Sequence, residues 1–205
     1  MCGIFGLVST RWQSEAALAA QTIKHRGPDD FGIYHEESLC LIHYRLAIQD
    51  LSAAGHQPMW SADGRYCILV NGEIYNHWEL RHLLQSKYTF NSHCDAETML
   101  YAFVEWHTDS FKRLNGIFAA VIYDKQTNEL FIVRDPLGVK PCYYLDAHEG
   151  FAFSSELKAF DKLSGWDRSL DYKAMFNYLN FLWSPGVQTP FKQVKKLLPG
   201  YFIRY

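Results

Sequence analysis

The feature that most constrains this chain is a set of short runs that are apolar at every position. Cys67-Ile68-Leu69-Val70 and Phe118-Ala119-Ala120-Val121-Ile122 show no alternation of apolar and polar residues. Successive side chains of a strand point to opposite faces, so such a run must be covered on both sides. Gly3 to Val8, Leu39 to Tyr44, Leu130 to Val133, Cys142 to Leu145 and Phe151 to Phe153 are similar, each bounded by turn formers. Ile117 to Tyr123 and Leu130 to Val133 flank a polar loop and predict an antiparallel hairpin.

Helical periodicity falls between these runs. Met99, Ala102, Phe103 and Trp106 recur at i, i+3, i+4 and i+7. Leu80, Leu83 and Leu84 follow Asn76, whose side chain together with Glu79 predicts a capped start, and Ser14 opens an Ala-rich stretch ending near Ile23. Tyr172, Met175, Phe176, Leu179 and Leu182 mark a last helix after Asp171, followed by the turn Ser184-Pro185-Gly186 and a strand over Tyr201 to Tyr205. Strands joined mostly without intervening helices predict an α+β fold of antiparallel sheets flanked by helical layers, not a parallel doubly wound sheet. One domain is expected through about Phe160, with 161–205 as its extension. A chain ending on an apolar strand with no polar tail predicts polypeptide beyond Tyr205.

Composition removes whole classes of function. Hydrophobic residues make up 48% and charged residues 20%, which excludes a disordered or coiled-coil chain, and the 16% aromatic share predicts thick packed layers. A net charge of −2 without a basic run gives no footprint for nucleic acid or an anionic membrane. No segment approaches the roughly 20 apolar residues of a membrane helix, and MCGIFGLVST lacks the pattern of a signal peptide. The five cysteines form no C-x-x-C ladder, so no zinc framework is expected and the compartment reads as cytoplasmic.

Several residues carry chemistry. Cys2 follows the initiator Met1, and removal of Met1 would place a thiol and a free α-amine on one residue. An α-amine titrates at about 7.7–8.0, low enough to act as base for its own thiol, although a small buried residue opening a strand is the plainer reading. Asn71-Gly72-Glu73 ends a strand with a side-chain amide and a glycine N–H, the donors a tetrahedral oxyanion needs; Asn-Gly is also the strongest short hairpin signal. Arg45 closes an apolar strand, where a guanidinium needs an anion. Asp95 opens the Met99 helix as an N-cap or as a carboxylate for a substrate ammonium.

Taken in order, Met1-Cys2-Gly3-Ile4-Phe5-Gly6, His25-Arg26-Gly27-Pro28-Asp29, Arg45-Leu46-Ala47-Ile48, Gly55-His56-Gln57-Pro58-Met59, Asn71-Gly72-Glu73-Ile74-Tyr75-Asn76, Asp95-Ala96-Glu97, Arg134-Asp135-Pro136-Leu137-Gly138 and Ser154-Ser155-Glu156-Leu157-Lys158 resemble the glutaminase domain of class II glutamine amidotransferases. Within them the chain is most similar to the asparagine synthetase branch. The resemblance implies an N-terminal nucleophile hydrolase fold, a four-layer αββα sandwich, and hydrolysis of L-glutamine to glutamate and ammonia. It implies Cys2 as nucleophile, Asn71 and Gly72 as oxyanion donors, Arg45 for the α-carboxylate, and Glu73 and Asp95 for the α-ammonium. Residues 1–160 would be the glutaminase core and 161–205 would lead to a synthetase domain outside this chain. That domain would be the ammonia-receiving partner and would bind ATP and Mg²⁺; this part would need no cofactor and no metal. A homodimer is a further expectation. Another acceptor, or a non-catalytic glutamine-binding module, is the alternative. His93, Cys94 and Ala96 depart from the family pattern around Asp95, and Lys24 stands where arginine is common.

Overall fold

The computed structural model describes all 205 residues. In chain order it contains β1 (Gly3–Val8), α1 (Ala16–Gln21), β2 (Asp30–Glu36), β3 (Leu39–Arg45), β4 (Met59–Trp60), β5 (Tyr66–Ile74), α2 (His77–Leu84), α3 (Asp95–Trp106), β6 (Gly116–Asp124), β7 (Glu129–Arg134), β8 (Tyr143–Ala147), β9 (Gly150–Ser154), α4 (Tyr172–Phe181), β10 (Val194–Lys196) and β11 (Phe202–Arg204). Two sheets form, in the orders β10-β8-β9-β1-β3-β2 and β11-β7-β6-β5-β4, and every pairing is antiparallel.

The doubly apolar runs explain the stacking. Along β3, Leu39 and Leu41 enter the layer between the sheets, whereas Cys40, Ile42 and Tyr44 enter the layer shared with α1. β5 divides the same way: Cys67 and Leu69 face the first sheet, and Ile68 and Val70 lie among the side chains of α3. Three apolar layers therefore separate four structural ones, the αββα arrangement expected. Each fully buried Leu, Ile or Phe in these layers is worth about 1.5–3 kcal/mol.

Residues 161–205 are woven into this frame. β10 adds a strand to the first sheet beside β8, and β11 adds one to the second beside β7. The expected hairpin is present as β6 and β7, paired from Ala119↔Arg134 to Asp124↔Glu129.

Local expectations fail where tertiary partners win. Asn71-Gly72 is no turn: β5 continues through it, with Asn71 opposite Ala119 and Gly72 opposite Phe118. Asn76 precedes α2 without capping it, because its amide bridges the Arg113 carbonyl and the Asn115 N–H. Ser14 lies in a 3-10 turn before α1 and gives no cap. Cys94, not Asp95, holds the N-cap position of α3. β2, β4 and β10 carry no apolar run of the kind that marked the other strands, and were not foreseen.

Asp135 knots the loop after β7. It is fully buried and accepts from the amides of Leu137 (3.0 Å), Val139 (3.0 Å), Lys140 (3.1 Å) and Phe118 (3.3 Å). Losing it removes the acceptor of four backbone amides at once, that of Phe118 buried and the other three partly buried, where an unpaired buried donor costs about 1–3 kcal/mol. Asp135→Ala is therefore expected to destabilise the fold by about 3 kcal/mol or more, and Asp135→Asn by less, as read from denaturant midpoints.

Candidate active site

Strand parity assembles the site. Ile4 of β1 faces the layer between the sheets, so Cys2, two residues earlier, shares that face. Leu39 and Leu41 set the parity for Arg45, and Cys67 and Leu69 set it for Asn71 and Glu73. β1 begins where β3 ends, with Gly3 opposite Tyr44. His43 ties this end to the other sheet through Nε2 and the Val70 carbonyl at 3.1 Å. The inter-sheet layer thus turns from apolar to polar at one end. There a single pocket is lined by all six predicted residues: Cys2, Arg45, Asn71, Gly72, Glu73 and Asp95.

Cys2 is held by its backbone. The Arg26 Nε donates to the Cys2 carbonyl at 2.9 Å, and the Arg26 guanidinium is fixed in turn by Glu156 at 2.9 Å. Ser155 completes the clamp by accepting from Ile4 N–H through Oγ at 3.0 Å and donating its own N–H to the Ile4 carbonyl at 2.9 Å. The thiol accepts from the Leu46 amide at 3.4 Å. Burial pushes the thiol up from its ordinary value, opposed by the Leu46 N–H, the N-terminal amine and Arg45. The amine itself, here on Met1, is lowered by partial burial, with Arg26 and Lys140 acting in the same direction.

In the same pocket, the Asn71 side chain is fully buried, and neither its nitrogen nor its oxygen has a hydrogen-bond partner. Native interiors rarely leave an amide in that state without a functional reason. Gly72 has φ +156°, and a Cβ there would lie 2.1 Å from the Ile117 carbonyl oxygen, so only glycine lets β5 pass.

The two charged ends differ in kind. Arg45 is 6% exposed and meets no carboxylate within ion-pair distance; it donates to the carbonyls of Ser52 (2.9 Å) and Asp50. A Cβ on Gly55 would fall 2.0 Å from the Arg45 guanidinium, so the glycine gives this side chain its seat. Asp95 accepts the Ile74 N–H at 2.8 Å through Oδ2. Burial raises its carboxyl above the ordinary value, with the Ile74 N–H and His77 pulling the other way. Glu73 accepts from Gln49 Nε2 at 2.9 Å.

Cys94, unexplained by sequence, is a packing residue of the second sheet's core. Burial and Asp95 push its thiol up to about 12, and its carbonyl accepts from Arg81 at 2.9 Å. The His93 ring lies 6.0 Å from that of Trp78, and no cluster of three or more His, Cys, Asp or Glu side chains is placed to hold a metal. Sequence reasoning passed over Gln49, Asp50 and Lys140, which also line the pocket. Only the spacing Asp50-x-Ser52, an Asx-turn pattern, could have flagged one of them.

The asparagine synthetase [glutamine-hydrolyzing] 1 of Bacillus subtilis is 36% identical over 208 residues, covering 98% of this chain and 33% of the relative. Asparagine synthetase B of Escherichia coli K12 is 36% identical over 165 residues, covering 78% of this chain and 30% of the relative. The chain thus spans about a third of the length of these relatives. Among solved structures, the glutamine phosphoribosylpyrophosphate amidotransferase of B. subtilis superposes with a TM-score of 0.68 at 19% identity, over 78% of this chain and 43% of that one. A glutamine aminotransferase class-II domain protein from Silicibacter pomeroyi gives 0.52 at 15% identity, over 99% and 94%. These two share the fold. The family model of the glutamine amidotransferase domain matches residues 1–205, and this chain belongs to that family.

Proposed function

We propose that this chain hydrolyses L-glutamine to L-glutamate and ammonia through a thioester on Cys2. The observation that carries the reading is the fully buried, unpartnered Asn71 amide set in one pocket with Cys2, between a guanidinium and a carboxylate. Glutamine presents a carboxamide at one end and an α-carboxylate and α-ammonium at the other, and the pocket offers a complement to each.

Once Met1 is removed, the Cys2 α-amine accepts the thiol proton and the sulfur adds to the carboxamide carbon. Asn71 Nδ2 and the Gly72 N–H donate to the oxyanion that forms. The amine returns its proton to the leaving nitrogen, the C–N bond breaks, and ammonia departs from a glutamyl thioester. Water, deprotonated by the same amine, adds to that thioester; its collapse releases glutamate and reprotonates the thiolate. Arg45 pairs with the α-carboxylate, and Asp95 with Glu73 takes the α-ammonium. No step needs a metal or cofactor.

The ammonia serves a synthetase portion of the kind that the relatives' names describe, in the cytoplasm, with ATP and Mg²⁺ bound by that portion and not here. α4 supports such a partner. The helix buries only Ala174, while Phe176, Leu179 and Leu182 are 65, 73 and 80% exposed. A ten-residue helix without packing is marginal in water, and an apolar face of this kind marks an interface. We assign its occupant as the synthetase portion, since two thirds of the relatives' length lies outside the matched part.

Three outcomes follow for the isolated chain and one for a longer product. Intact mass should show loss of Met1, and a glutamine-mimicking electrophile should add once, at Cys2; retained Met1 or an unmodified Cys2 would reject the mechanism. Asn71→Ala should lower kcat by about a hundred- to a thousandfold, the usual loss for one oxyanion donor, with a smaller change in KM. Arg45→Ala should act mainly on KM. Hydrogen exchange over residues 172–183 should be fast in this chain and slowed about tenfold or more when the synthetase portion is attached. Equal exchange in both would reject that occupant, and slowing that depends on concentration would assign the face to a second copy.

A further inference from the structure

One buried carboxylate joins the two ends of the pocket, and neither the mechanism above nor the sequence motifs use it. Asp50 is 8% exposed. Its Oδ1 accepts from the Ser52 N–H at 2.9 Å and the Ser52 hydroxyl at 2.6 Å, and its Oδ2 accepts from the His93 N–H at 2.8 Å. These donors, the Ser52 hydroxyl first, lower the carboxyl to about 2, so it is ionised near neutral pH.

The two groups of contacts lead to different places. The Ser52 contacts close a tight turn over residues 50–52, and the carbonyls of Asp50 and Ser52 on that turn are the acceptors for the Arg45 guanidinium. The His93 contact fixes the segment entering α3, whose first residue is Asp95. Arg81 braces that segment from behind through the Ser92 and Cys94 carbonyls, at 2.5 and 2.9 Å. Charge-assisted hydrogen bonds of this length are stiff, and a ligand recognised at two ends needs its anchors at a fixed separation.

We propose that Asp50 is a positioning residue that sets the distance between the Arg45 guanidinium and the Asp95 carboxylate, and so the selectivity for substrates carrying both an α-carboxylate and an α-ammonium. The inference rests on the glutaminase reading. It predicts a fingerprint unlike that of either anchor: disturbing Asp50 weakens both ends together, whereas Arg45→Ala affects only one.

The test compares glutamine with glutaramic acid, which lacks the α-amine, and 4-aminobutanamide, which lacks the α-carboxylate, using the whole chain with Met1 removed. In Asp50→Asn, the amide oxygen can serve Ser52 or His93 but not both. KM for glutamine should rise about tenfold while kcat changes less, and the preference over both analogues should fall by a similar factor. Ser52→Ala, a smaller lesion on the same turn, should move KM the same way by a smaller factor and keeps the test open should Asp50→Asn fail to fold. The proposal is overturned if the variants keep wild-type preference over both analogues, if only one preference falls, or if kcat drops with KM unchanged. Failure of the underlying reading looks different, because the wild-type chain would then not hydrolyse glutamine.

Discussion

Everything in this molecule depends on the central strands of two sheets being dry on both faces. A strand that buries both rows of side chains cannot slip by one residue without exchanging its two apolar sets, so register is fixed along β1, β3, β5 and β6. Fixed register is what makes parity a reliable guide to the site. Cys2, Arg45, Asn71 and Glu73 all sit on the inner row, at the one end where that row stops being apolar. The pocket is the polar termination of an otherwise apolar layer: strands supply Arg45, Asn71, Gly72 and Glu73, the segment after β3 supplies Gln49 and Asp50, and the start of α3 supplies Asp95.

The same burial shapes the electrostatics. It pushes the Cys2 thiol and the Asp95 carboxyl towards their neutral forms. A ligand ammonium beside Asp95 would restore the charge that burial disfavours, which ties selectivity to occupancy. For Cys2 the consequence is that the thiol needs a base at hand, since desolvation alone keeps it protonated. In the proposed reaction, with Met1 removed, an α-amine on the same residue would be that base, and the Arg26 contact with the Cys2 carbonyl fixes the backbone on which both groups would hang.

The sequence was legible wherever one residue's own chemistry decides. Doubly apolar runs gave the layers, and the six pocket residues were identified from their types and the family resemblance. It was illegible where a residue answers to a distant partner. Asn71-Gly72 has the local signature of a turn, yet pairing with Ala119 and Phe118 keeps it in a strand, a matter of β6 and not of the dipeptide. Asn76 looks like a cap, but its amide is taken by Arg113 and Asn115, almost forty residues away. Asp50 could not be singled out because its value lies in joining the turn after β3 to the entrance of α3, a contact spanning 43 residues.

α4 shows the limit of periodicity from the other side. Tyr172, Phe176 and Leu179 fall at i, i+4 and i+7, and the helix is there, capped by Asp171, which accepts the Ala174 N–H at 3.0 Å. Periodicity reports that a face is apolar; it does not report what covers it. In α1 and α3 the covering surface is a sheet of this chain, and their buried faces belong to its cores. In α4 the same pattern faces solvent, while β10 and β11 beyond it return to pair with β8 and β7. The excursion between β9 and β10 therefore presents an uncovered apolar helix face, the kind of surface that marks an interaction site.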